Sequence, residues 1–147
     1  MAIAQEDFKK GLLRLVNYVE MFLQAQGKRC EVEYSKSTTS SADIYYIHED
    51  KCCAIGCLMS PEYYSRVIEG VGIDTILRYY GYNIISDKLQ KFEISPEALD
   101  EEQKMELIEL LVKLQITHDT LPIGDWPKEF MKIRTFIQEG NLRAINA

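Results

Sequence analysis

Phe8, Leu12, Leu15, Val16, Val19, Phe22 and Leu23 recur at three- and four-residue steps. An α-helix gathers such positions into one apolar stripe, and a strand scatters them over both faces. A stripe of this length needs a facing surface to cover it, so the chain must pack helix against helix. Gly27 follows the last apolar position and is placed to stop the helix. Gly11 interrupts the helix interior at a small cost in propensity. The 147 residues suit one domain, 1–147. With 46% hydrophobic and 27% charged residues the chain has a globular balance. It is long enough to bury one core without a disulfide or a structural metal.

The rest of the chain is punctuated in the same terms. Ser35 to Ser41 is almost wholly Ser, Thr and Lys and reads as a surface loop. Ile44 to Ile47 is β-branched and aromatic, and the polar turn His48 to Lys51 follows it. A small β-hairpin near residues 43–54 is therefore expected, or a strand-turn-helix unit. Ser60-Pro61-Glu62 and Ser95-Pro96-Glu97 both carry helix-start chemistry. A short helix is expected from Ile73 to Tyr80, stopped at Gly81, with weaker helical character over Asp87 to Phe92. The main helix is expected from about Asp100 to His118. A last one, capped by Asp125, carries the stripe Trp126, Phe130, Ile133 and Ile137. The fold class expected is mainly α (α+β): a compact domain of about five helices with one small hairpin.

The formal net charge is −6. That speaks against nucleic-acid binding, which depends on Lys and Arg neutralising phosphates. No apolar run approaches the ~20 residues that cross a bilayer, so no membrane association is expected. Met1 to Phe8 has no basic stretch followed by an apolar one, as a secretory signal would. Four cysteines without such a signal read as reduced thiols, and the expected location is the cytoplasm.

Chemistry concentrates in two places. In Cys52-Cys53-Ala54-Ile55-Gly56-Cys57, a helix starting near Cys53 would put Cys53 and Cys57 one turn apart. It would also lower the thiol pKa of Cys53. The competing reading is that these cysteines are small core residues, since free Cys is among the most buried types. The second place is His118-Asp119. His118 lies four residues after Leu114, seven after Leu111 and eleven after Leu107, so it shares the apolar stripe of its helix and faces the core or its rim. Together they suggest a catalytic dyad of Cys53 and His118, with Asp119 or Asp125 as orienting group. The plain alternative is a histidine stabilised by the negative end of its own helix. Zinc has enough donors among His48, Cys52, Cys53, Cys57 and His118, but their spacing is not that of a structural finger, so no metal is expected. No motif asks for a cofactor. Tyrosines are numerous, and Tyr45-Tyr46, Tyr63-Tyr64 and the group Tyr79, Tyr80 and Tyr82 suggest a partly exposed interface.

Two segments carry a resemblance. The first is Cys53-Ala54-Ile55-Gly56-Cys57-Leu58-Met59 with Pro61-Glu62-Tyr63-Tyr64 and Glu69-Gly70. The second is Leu111 to Asp119, read L-V-K-L-Q-I-T-H-D, with Trp126 close behind. Together they resemble small bacteriophage and prophage proteins with a C-A-[VI]-G-C-L motif near the middle and an L-Q-x-x-H-D motif near the C-terminus. The resemblance implies a viral or mobile-element origin and a place in the host cytoplasm. It implies no particular reaction. The chain departs from the pattern in longer stretches at Glu31 to Asp43 and Gly72 to Ile94, and in the additional Cys52.

The sequence therefore favours a binding protein over an enzyme. The leading expectation is an accessory factor that occupies a host protein, such as a defence component, using Gly56, Cys57, Tyr63, Tyr64 and Trp126 as candidate contacts. The second is acyl or amide-bond chemistry at Cys53 and His118 with Asp119. The third is a small-molecule or metal binder with Gly56 lining a pocket.

Overall fold

The first helix, α1 (Gln5–Gln26), buries its stripe as its spacing demands: Phe8, Leu12, Leu15, Val16, Val19 and Leu23 are all within the core. Phe22 stays at the margin, where its ring leans on Tyr18. The computed structural model describes residues 3–27, 46–48, 51–52, 54–60, 63 and 71–147. Gly27 ends α1 with φ 78°, a left-handed conformation that glycine adopts without a Cβ clash, and its N–H closes on the Leu23 carbonyl at 2.9 Å.

Among the described residues four further α-helices follow: α2 (Ile73–Tyr80), α3 (Asn83–Lys91), α4 (Glu101–Thr120) and α5 (Trp126–Glu139). The protein is mainly helical. Tyr46–His48 and Lys51–Cys52 run antiparallel, with Tyr46 opposite Cys52, His48 opposite Lys51 and an irregular register between them. The hairpin expected near 43–54 is not seen at that length. This ladder is too short to form a sheet with its own face, and the other residues of that span lie outside those described. The helix start expected at Ser60-Pro61-Glu62 also falls outside them from residue 61 onward.

Two helix starts differ from expectation. Pro96–Ala98 makes a single 3-10 turn, and α4 begins only after Asp100. There the Asp100 carboxylate accepts the Gln103 backbone N–H at 2.8 Å, and the Gln103 side-chain oxygen accepts the Asp100 N–H at 3.1 Å. Two otherwise orphaned donors are satisfied reciprocally, so the cap and not the proline fixes the start. Asp125, expected to cap α5, makes no such bond: Ile123–Asp125 is a 3-10 turn that runs straight into α5. The helical stretch expected at Asp87 to Phe92 begins earlier, at Asn83, because Ile84, Ile85 and Leu89 all reach the core.

The core lies between α1, α4 and α5, with α2 against α4 and the Gly56–Leu58 turn against α1 and α3. Phe8 and Phe130 are fully enclosed. Each such side chain contributes about 1.5–3 kcal/mol through removal from water. Polar ties fix the packing: Arg134 of α5 reaches Asn17 at 2.9 Å and pairs with Glu20 of α1, and Lys113 of α4 pairs with Glu129 of α5 at 2.8 Å.

Glu106 is a local weakness in this frame. It is buried on α4, and burial pushes its carboxyl above the ordinary glutamate range. Glu102 and Asp100 add to the shift, while a hydrogen bond from Gln5 and the charge of Arg143 oppose it. A raised pKa means the folded state holds the proton more tightly than the unfolded chain does. Stability is then lost as pH rises from about the unfolded-chain value of 4.5 through the folded one. Glu106→Gln keeps the acceptor for Gln5 and removes the charge. It should raise Tm at pH 8 by on the order of 2 °C, and the gain should vanish in melts run at acidic pH.

Candidate functional site

The end of α4 and the start of α5 bring the polar groups of most interest together. His118 lies one turn after Leu114 on the inward face of α4 and is 1% exposed. Its Nδ1 sits 2.7 Å from Oδ1 of Asp119. A carboxylate can only accept, so Nδ1 carries the proton of this contact. Asp119 is held in turn by Gln115, one turn earlier, whose Nε2 donates to both carboxylate oxygens at 3.1 and 3.3 Å. The Gln115 amide must face the carboxylate with its nitrogen. Its oxygen is consequently buried without a hydrogen-bond partner among the described residues, at a cost of about 1–3 kcal/mol. The indole of Trp126 stacks on the imidazole with centroids 5.7 Å apart and planes at 30°, and its Nε1 donates to the Leu121 carbonyl at 3.2 Å.

This arrangement holds an imidazole in one tautomer and one orientation. It supplies the orienting half of a nucleophile–base–acid relay. Cys53, the expected nucleophile, lies outside the described residues, as does Tyr64. Cys57 is buried in the 3-10 turn Gly56–Leu58, and its thiol donates to the Ala54 carbonyl at 3.2 Å. The described part of the cluster is therefore turn and 3-10 structure, not a helix displaying Cys57 on an open face. Gly56 is buried in the same turn. Trp126, expected as a contact residue, is 2% exposed and spends its surface on His118. Gln115 was not anticipated, although a position four residues before Asp119 on a helix is a side-chain neighbour by construction.

Tyr63 is 51% exposed. On α2, Ile73, Ile76 and Leu77 go to the core, yet Tyr79 and Tyr80 are 75% and 62% exposed. Tyr80 continues the inner face of α2 one turn beyond the point where the core ends. An open cavity of about 530 Å³ lies elsewhere, lined by Met59, Ser60, Asp87, Lys88, Gln90 and Lys91. Among the described residues no three His, Cys, Asp or Glu side chains are grouped to hold a metal ion. No described helix is long and apolar enough to cross a membrane. Comparison of the chain with family models, with curated proteins and with solved structures finds no match.

Proposed function

We propose that this protein acts by binding another protein, as an accessory factor of phage or mobile-element type that modulates a host component. The observation that carries this reading is the pair Tyr79 and Tyr80, large amphipathic side chains left mostly in water at the end of a helix that buries its other apolar residues. Tyrosine is enriched among the residues that dominate interface energies, because it offers a large, rigid contact area with a polar tip. The net negative charge and the resemblance to phage and prophage proteins point the same way. Exposed substitutions away from caps and pairs change stability by about 0.5 kcal/mol or less, so Tyr79→Ser with Tyr80→Ser should melt like the wild type. In affinity capture from host lysate, this double variant should lose a partner that the wild type retains. Identical capture profiles for the two proteins would remove the reading.

The His118–Asp119 geometry favours one second reading, Cys/His chemistry with Cys53 as nucleophile, His118 as base and Asp119 as orienting group. On that reading Cys53 alkylates rapidly at neutral pH, and Asp119→Asn slows it while leaving the ring packed. Slow alkylation that is indifferent to Asp119 would set this chemistry aside.

A further inference from the structure

Met105, Ile108, Val112 and Ile116 follow one another at steps of three and four along α4, on the side opposite the core residues Leu107, Leu110, Leu111 and Leu114. Met105 and Ile116 are 45% and 42% exposed, and Ile108 and Val112 are half-buried at the core margin. The row is about 16 Å long at the helical rise, or three turns. The outer faces of α1 and α5 are mainly polar, whereas α4 is apolar on both sides. A helix of that kind normally has a second surface against it. α2 packs against α4.

The charges bordering this row select the occupant. The two lysines of α4 are spent within the fold, Lys104 on Glu101 at 3.6 Å and Lys113 on Glu129 at 2.8 Å. Glu109, one turn from both Met105 and Val112, has no Lys or Arg within ion-pair distance among the described residues. Its carboxylate accepts from the neutral Asn146 amide at 2.8 Å. Asp119, just past Ile116, is met by His118 and Gln115 and by no Lys or Arg among the described residues. The apolar row thus carries a carboxylate at its middle and another at its far end, neither met by a Lys or Arg among the described residues. A second copy docked by this same face would set carboxylate against carboxylate, which costs affinity.

We propose that the outer face of α4, from Met105 through Val112 to Ile116, receives a single amphipathic helix of net positive charge from the partner protein. This rests on the binding reading above and names the partner's chemistry. The partner presents apolar anchors at three- and four-residue spacing, with lysine or arginine placed to meet Glu109 and Asp119.

Fluorescence anisotropy with a labelled amphipathic Leu/Lys helical peptide, and a Leu/Glu peptide of the same pattern, tests the proposal. The Leu/Lys peptide should bind, and the Leu/Glu peptide should bind at least about tenfold more weakly. Met105→Ser with Ile116→Ser, and separately Glu109→Lys, should each weaken the Leu/Lys peptide by about tenfold. Glu139→Lys, on the exposed last turn of α5, should leave it unchanged. Equal weakening by Glu139→Lys and Glu109→Lys, with no effect of the Met105/Ile116 change, would mean diffuse attraction and overturn the proposal. So would concentration-dependent dimerisation in sedimentation that the Met105/Ile116 change abolishes. If the peptide does not bind while Tyr79→Ser with Tyr80→Ser still loses a lysate partner, the basic-helix proposal fails and the binding reading stands. If both results are negative, both fail.

Discussion

Gly11→Ala should destabilise the protein by about 1–3 kcal/mol, the opposite of what helix propensity alone would give. In an exposed helix interior the same change is worth about 1 kcal/mol of stabilisation. Here a Cβ at position 11 would stand 2.7 Å from Cγ1 of Ile94 and 2.9 Å from the Phe92 carbonyl oxygen. The Ile94 side chain is fully buried and has little room to turn aside. The Phe92 carbonyl is backbone, and the Arg14 guanidinium holds it at 2.9 Å. The chain between α3 and α4 passes directly against α1 there, and only the missing side chain allows it. Chemical denaturation should show a lower midpoint with an unchanged slope. A midpoint above that of the wild type would mean that the chain can shift away from α1 at little cost. Gly11→Leu should be more damaging still, since its further atoms have nowhere to go.

Gly11 also marks where sequence reasoning stops. The helix it sits in was legible from spacing alone, as were α2 with its stop at Gly81 and the stripe of α5, because those signals are local and periodic. Gly11 read as a minor blemish, because the atoms that require it lie some eighty residues away and leave no local trace. Ser95-Pro96-Glu97 misled for a related reason. The residues that open an α-helix also open a 3-10 turn, and only the reciprocal pair Asp100 and Gln103 distinguishes the true start. At the candidate site, the inward position of His118 followed from its distance to Leu114 and Leu111. The ring's partners did not follow. Asp119 precedes a chain reversal that brings Trp126 back over the imidazole, and stacking across a turn has no sequence period. Tyr79 and Tyr80 were two tyrosines among nine until burial set them apart from Tyr18 and Tyr82.

His118→Ala should cost about 2–4 kcal/mol, with Asp119→Asn well below it. Alanine removes a side chain that is 1% exposed and leaves a cavity beneath the Trp126 indole. It also takes from Asp119 the donor at 2.7 Å. The carboxylate is one-third exposed and keeps the Gln115 amide, so the larger part of the loss is packing and the smaller part is the hydrogen bond. Asparagine at 119 leaves the ring in place and offers its side-chain oxygen to the same Nδ1–H, which accounts for the milder effect. The two changes touch one pair, and the double variant should fall short of the sum of the singles by about 1 kcal/mol. Thermal melts of the four proteins give this directly. Strict additivity would mean that the short contact contributes nothing and that His118 is held by Trp126 and the surrounding core alone. An Asp119→Asn loss as large as that of His118→Ala would mean the reverse: the charge on the carboxylate, and not the enclosure of the ring, keeps the end of α4 in place.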